Sequence, residues 1–300
     1  MLQVHLGPLA LQNPVLTASG TFGYGQELSA FVDLSRLGGV VCKTVTRHPR
    51  AGNPPPRTCE TASGMLNAIG LQNVGIKGFV AEKLPYLRQF DVPLIVNVAG
   101  ESVEDFAFLA RALSDEAGVS AIELNISCPN VAHGLDFATD PSLTEEVVAH
   151  VKAATHLPVI AKLSPNVTDI TLIARAAERG GAHALSLVNT FIGMAIDTRT
   201  RRPRLSNVSG GLSGPAIKPL ALCAVYRCAQ AVQIPLIGVG GIMNANDAIE
   251  FLLAGASAVQ IGTANFVHPR ATLNILEGLE QYMETNGISH IQELIGAVQV

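Results

Sequence analysis

Short apolar runs recur along the chain, rich in β-branched residues and bounded by glycine, proline or a polar side chain. They lie at residues 14–18, 39–43, 94–98, 121–125, 159–163, 184–188, 236–239 and 258–262, and their length and composition predict strands. Between most of them the apolar spacing turns helical, over residues 102–116 behind an N-cap-like Ser102, then 142–155, 169–179, 218–230 and 246–253. Pro93, Pro158 and Pro235 end the connections directly before strands. Eight strands with helical crossovers predict an α/β fold, and fit a TIM (β/α)8 barrel better than an open sheet.

The chain departs from a minimal barrel in two places. Residues 44–93 hold a Pro/Gly-rich stretch, TRHPRAGNPPPRT, followed by NAIGLQNVG, and residues 189–216 form a second irregular insertion. Both follow strands at the C-terminal face, where a barrel builds its active site. The opening VHLGPLALQNP reads as a hairpin turned at Gly7-Pro8 that caps the barrel bottom. Residues 1–300 are expected to form a single catalytic domain.

Composition narrows the function classes. With 48% hydrophobic and 15% charged residues, the 300-residue chain can bury a large core. The formal net charge of −4, with basic residues scattered except over 199–204, gives no nucleic-acid footprint. No basic start leads into a long apolar segment, and no uncharged apolar stretch reaches the roughly 18 residues of a membrane span, so a soluble cytoplasmic protein is expected. The odd cysteine set, Cys42, Cys59, Cys128, Cys223 and Cys228, argues for a reducing compartment. Without CxxC or zinc-type Cys/His spacing, no metal is expected on this chain.

The strand ends carry the candidate chemistry. They present Ser19, Lys43, Asn97, Asn125, Lys162 and Asn189, then the pairs Gly240-Gly241 and Gly262-Thr263. Any one of these could be an ordinary turn former or a solvated lysine. Two lysines and three asparagines at equivalent ends of apolar strands point instead to a planar, acceptor-rich ligand. The glycine pairs close the last two strands, the place where barrels hold phosphate on backbone N–H groups. Neither GVGGIM nor GGLSGP fits G-x-G-x-x-G, so no Rossmann dinucleotide site is expected.

NISCPN at 125–130, KLSPN at 162–166, NAIGLQN at 67–73, GVGGI at 238–242 and QIGTA at 260–264 together resemble the dihydroorotate dehydrogenase family over essentially the whole chain. ASGTFGYG at 18–25 and GNPPPR at 52–57 resemble its class 1B catalytic-subunit branch. The resemblance implies an FMN enzyme that oxidises (S)-dihydroorotate to orotate in pyrimidine (UMP) biosynthesis. Cys128 would be the base at C5 while C6 gives a hydride to the flavin, a role that requires its thiol pKa to be drawn down toward working pH. The other cysteines are read as structural, Cys42 in particular because its neighbour Lys43 points the opposite way along a strand.

By the same resemblance Lys43, Asn67, Ala68, Ile69, Gly70, Leu71, Asn125, Asn189 and Thr190 would hold the pyrimidine ring and carboxylate. Ser19, Lys43, Thr44, Asn97, Asn125, Lys162, Val188 and Gly214 would contact FMN, with Lys162 near its pyrimidine edge. Gly240, Gly241, Gly262 and Thr263 would take its phosphate. The resemblance further implies an electron-transfer subunit with FAD and a [2Fe–2S] cluster that passes electrons to NAD, in a heterotetramer with two copies of each chain. GLDFATDP at 134–141 departs from the family's glycine-rich pattern at Leu135 and Ala138, in the loop expected to open as a lid.

Other readings remain open at this point. A class 1A-type enzyme using fumarate would also lack cluster and Rossmann motifs. A flavin enzyme acting on uracil or thymine is a near relation. A non-redox barrel enzyme for a sugar phosphate would account for the glycine pairs, with Lys162 as a Schiff-base residue, but would not need NISCPN beside NAIGLQN. A binding module without catalysis leaves the convergence of polar groups on one rim unexplained.

Overall fold

The computed structural model of the chain describes residues 1–126 and 137–300. It opens with a hairpin, β1 (Val4–Leu6) and β2 (Leu9–Leu11), and enters a barrel through β3 (Val15–Thr17) and β4 (Val40–Val41). An excursion carries β5 (Thr58–Thr61) and β6 (Gly64–Asn67) before β7 (Leu94–Val98), β8 (Ala121–Asn125), β9 (Val159–Lys162) and β10 (Ala184–Leu187). A second excursion holds β11 (Phe191–Met194), β12 (Ile196–Asp197), β13 (Arg202–Pro203) and β14 (Ser209–Ser213), after which β15 (Leu236–Val239) and β16 (Ala256–Ile261) complete the barrel. The helices are α1 (Gly75–Gly78), α2 (Leu84–Leu87), α3 (Val103–Ser114), α4 (Pro141–Ala154), α5 (Ile170–Arg179), α6 (Lys218–Ala229), α7 (Ala245–Leu253), α8 (Ala264–Val267) and α9 (Ala271–Asn286).

The eight-stranded parallel sheet runs β3-β16-β15-β10-β9-β8-β7-β4, and a parallel bridge from Leu16 to Gly39 joins its two ends. The expected TIM barrel therefore forms, its strands shifted by at most two residues from the apolar runs. Every residue of β7, β9, β10 and β15 is buried, as strands covered on both faces must be. Proline marks where strands begin. Pro14, Pro93, Pro158 and Pro235 each stand directly before a barrel strand, where the missing N–H is not needed, and their carbonyls accept from Val259, Val40, Ile122 and Leu185 of neighbouring strands at 2.8–3.0 Å. Helices α3, α4, α5 and α7 start on side-chain caps: Ser102, Asp140 and Asp169, and Asn244 in a capping box with Asp247.

Sequence patterning does not foresee α9, nor the helical stretch from Gly75 to Leu87, which contains one π turn between α1 and α2. Ala271, Leu273, Ile275, Leu276, Leu279 and Met283 of α9 are buried, and the helix packs against α7 and β3. The hairpin β1/β2 alternates buried and exposed residues, Gly7 turning it at φ 61°. A Cβ placed on Gly7 would lie 3.0 Å from Cβ of His183, which precedes β10, so the hairpin caps the N-terminal end of the barrel as expected.

One side chain adds to the backbone bonds across the seam between β3 and β4. The hydroxyl of Thr17, wholly buried, accepts from Val41 N–H at 2.9 Å and donates to Val41 C=O at 3.2 Å. Thr17→Val keeps the shape and strands both Val41 groups in a dry interior, so its unfolding midpoint should fall, at a cost of about 1–3 kcal/mol, measured by denaturant titration against wild type. At the barrel bottom, Nδ1 of His183 accepts from Val159 N–H at 2.9 Å and Lys152 Nζ lies 3.1 Å from Nε2. Burial, and then the Lys152 charge, lower the His183 pKa from 6.5. The unfolded chain therefore binds this proton first, and the contribution present above pH 6.5 is lost as pH falls through the lower folded value. His183→Gln should flatten this part of the stability–pH curve, which thermal melts across pH 5 to 8 would register.

Candidate active site

The two insertions expected as irregular loops pair with one another. β11, β14, β6 and β5 form an antiparallel sheet in that order, with Leu212 opposite Leu66 and Gly211 opposite Asn67. Leu66, Ala68 and Leu205 give this sheet its own small core, with Cys59, Ala195 and Leu212 packed on it. Between this sheet and the C-terminal ends of the barrel strands lies a cleft of about 540 Å³.

Every site position named from the sequence lines this cleft except Cys128, which lies outside the described residues together with the lid departure at Leu135. The strand ends bring Ser19, Lys43, Thr44, Asn97, Asn125, Lys162, Val188, Asn189 and Thr190, together with Gly240, Gly241, Gly262 and Thr263. The excursion sheet and its loops bring Asn67, Ala68, Ile69, Gly70, Leu71 and Gly214. Ala138 is buried, and Phe137 beside it packs edge-on against Phe106 of α3 with ring centres 5.9 Å apart.

The loop after β6 presents its backbone at a cost. Leu71 takes a left-handed φ of 54°, a strained setting for a bulky side chain. Asn73 holds it there: its Nδ2 donates to Leu71 C=O at 2.7 Å and to Thr46 Oγ1 at 2.8 Å, and its Oδ1 accepts from the N–H of Thr46 and Gly75. The last asparagine of NAIGLQN thus staples the loop to the chain leaving β4. On the opposite wall Asn189 Nδ2 donates to Asn125 Oδ1 at 3.2 Å and its Oδ1 accepts from Thr190 N–H at 2.9 Å, while Asn166 accepts from Ile192 N–H and donates to Thr190 C=O, both at 3.0 Å.

Below these residues a carboxylate sits in the barrel. Glu123 of β8 has no exposure; Asn97 Nδ2 donates to its Oε1 at 2.6 Å, Ser186 Oγ and Gln260 Nε2 donate to its Oε2 at 2.9 and 2.6 Å, and Lys162 Nζ lies 3.8 Å from Oε1. Each donor comes from a different barrel strand. The other amide atoms, Asn97 Oδ1 and Gln260 Oε1, are buried with no hydrogen-bond partner among the described residues. Lys43 is mostly buried and has no ion-pair or hydrogen-bond partner for its ammonium among the described residues; burial, then the charge of Arg57, lower its pKa. Cys42 turns the other way into the core, where burial pushes its thiol up to about 12, so it is inert.

The glycine pair after β15 leaves room only for backbone. Gly240 and Gly241 have φ of 134° and 71°, and a Cβ on Gly241 would stand 2.7 Å from Lys218 N. Thr263 Oγ1 donates to Ser213 Oγ at 2.8 Å, tying the rim after β16 to the excursion sheet. Among the described residues no group of histidine, cysteine and carboxylate side chains is arranged to hold a metal, and no helix is long and apolar enough to cross a membrane.

Reading from strand ends missed Glu123, Ser186 and Gln260. The signal was present within the strands: AIELN, ALSLV and AVQIG each place one polar residue among apolar neighbours, two residues or fewer from a named site position. A polar side chain in a strand buried on both faces has to find partners inside the barrel.

The family model for dihydroorotate dehydrogenase matches residues 1–283. A protein of Geotalea daltonii named dihydroorotate dehydrogenase B (NAD(+)), catalytic subunit, is 54% identical over 300 residues, covering 100% of this chain and 98% of that protein. Proteins of the same name from Desulforudis audaxviator and Thermoanaerobacter pseudethanolicus are 57% and 54% identical, covering 98% and 100% of this chain and 96% and 99% of their own lengths. With a cleft where the motifs converge and similarity from end to end, the chain belongs to the dihydroorotate dehydrogenase family.

Proposed function

We propose that the chain is the FMN-binding catalytic subunit of an NAD-linked dihydroorotate dehydrogenase, which oxidises (S)-dihydroorotate to orotate in pyrimidine biosynthesis in the cytoplasm and acts as one catalytic unit over residues 1–300. The observation that carries this reading is the pairing, in one cleft, of buried acceptors without donors and a glycine pair, Gly240-Gly241, that leaves room only for backbone. Asn97 Oδ1 and Gln260 Oε1 are left without a donor among the described residues, and a ligand N–H would supply one. Gly240, Gly241, Gly262 and Thr263 offer backbone N–H groups at the rim, suited to a phosphate. FMN has both features, and Ser19, Thr44, Asn97, Lys162, Val188 and Gly214 would hold the rest of it. When bound, FMN supplies a two-electron acceptor for the hydride from substrate C6.

The chain's own residues supply the rest of the chemistry. Asn67, Asn125, Asn189 and Thr190, with the backbone from Ala68 to Leu71, would bind the substrate ring and carboxylate, amides being suited to alternating N–H and C=O groups. The Asn189–Asn125 bond occupies Asn125 Oδ1, which leaves its NH2 for a ring carbonyl. Lys43, poor in partners and largely desolvated, would face the substrate's negative charge. Cys128 would take the C5 proton. Relatives named as catalytic subunits imply a second chain, and we assign it FAD, a [2Fe–2S] cluster and delivery of electrons to NAD, in a heterotetramer with two copies of each.

The test is an anaerobic titration of the purified yellow protein with dihydroorotate. Bleaching that neither fumarate nor NAD reverses until the partner subunit is added supports the reading; recovery with fumarate alone, or a colourless protein, overturns it. Cys128→Ser should retain FMN yet slow flavin reduction by about 10²-fold or more in stopped-flow absorbance, a hydroxyl being a far weaker base near neutral pH. Gly241→Ala would set a Cβ 2.7 Å from Lys218 N in a left-handed backbone, so the loop has to move from its place, and FMN affinity should fall roughly tenfold, read by fluorescence titration of the apoprotein.

A further inference from the structure

We propose that Glu123 is a positioning residue that gives the floor of the cleft its polarity, by holding Asn97 and Gln260 so that both present a carbonyl oxygen, and none of their hydrogens, to whatever binds above. The proposal rests on the flavin reading for the identity of the ligand edge, an N–H flanked by carbonyls such as flavin N3–H. No role for Glu123 or Gln260 follows from the motifs.

An isolated amide can present either end, because its oxygen and nitrogen are alike in size. A carboxylate removes that freedom, since it only accepts. Glu123 Oε1 takes Asn97 Nδ2 at 2.6 Å and Oε2 takes Gln260 Nε2 at 2.6 Å. The amide carbonyls are then forced to the far side. Both lie in residues that line the cleft, Asn97 at 0% and Gln260 at 1% exposure, and neither oxygen meets a donor among the described residues. Ser186 Oγ also donates, at 2.9 Å, and the Lys162 ammonium stands 3.8 Å away, so protein groups surround the wholly buried carboxylate. Buried acceptors without donors are uncommon and costly. Two of them, each belonging to an amide whose nitrogen is held by the one carboxylate, would select a ligand edge that carries N–H over one that offers only acceptors.

Glu123→Gln tests this with little change in volume. One of the two carboxylate oxygens becomes an NH2 group, so either Asn97 or Gln260 has to flip and point hydrogens at the cleft. FMN labelled with ¹⁵N at N3 is the probe, bound to the full-length protein. In the wild type its N3 proton should appear downfield and exchange slowly with solvent. In Glu123→Gln the resonance should move upfield or vanish by exchange, and FMN affinity should drop about 10- to 100-fold while the melting profile of the apoprotein stays cooperative. An unchanged N3–H signal and affinity in Glu123→Gln would overturn the proposal. Should that variant not fold, Gln260→Met removes one acceptor and leaves Glu123 with Asn97 and Ser186; undiminished FMN affinity there would overturn it equally. A wild-type protein that takes up no FMN would instead strike the flavin reading, so the two failures are distinguishable.

Discussion

Placing Glu123 without solvent at the centre of a barrel carries a desolvation penalty of several kcal/mol, which only a full set of donors offsets. The donors come from four other strands: Asn97 on β7, Lys162 on β9, Ser186 on β10 and Gln260 on β16. One buried carboxylate therefore ties together strands on both sides of β8 and across the barrel. Because side chains alternate in a strand, fixing Glu123 inward also fixes Asn125, two residues on, at the same face and nearer the rim. The floor and the rim of the cleft are in this sense one arrangement, set from the carboxylate outward.

The wall opposite the rim has a different origin. The excursion sheet joins residues about 140 positions apart, Asn67 with Gly211 and Leu66 with Leu212, over a core of a few side chains. Its strand β14 reads SGGLS, poor in the β-branched residues that make strands, and survives through pairing on both edges. What it provides is placement: Asn67, the strained loop to Leu71, and Gly214 are brought over strand ends that local sequence places elsewhere.

That contrast explains what the sequence could disclose. Barrel strands are legible because each is a buried apolar run opened by proline, a local signal that tertiary packing reinforces. The rim residues are legible because turn formers and lysines at equivalent strand ends form a pattern across the chain. The excursion sheet was not, since the pairing of β6 with β14 that joins its two halves is non-local and β6, β11 and β14 carry glycine. Glu123 was passed over for another reason: a single acid within AIELN is visible, but its meaning depends on partners from β7, β10 and β16 that appear only in three dimensions. Cys128 rests on the motif around it, as its position falls outside the described residues.

The cleft also discriminates among the ligands a phosphate-binding barrel could take. A small sugar phosphate would satisfy the backbone groups at Gly240-Gly241 and Gly262-Thr263, as in many barrels. It would bring no N–H to Asn97 Oδ1 and Gln260 Oε1, which are already buried, and so would leave unrelieved a cost of about 1–3 kcal/mol for each. A ligand that joins a phosphate to a heteroaromatic edge bearing N–H meets both demands at once. On the proposed reading the rim would meet charge through backbone dipoles, and the floor would select hydrogen-bond direction through amides held by a carboxylate. Since the two readings are carried by the same strand at β16, where Gln260 lies two residues before Gly262, a shift of that strand would disturb both together.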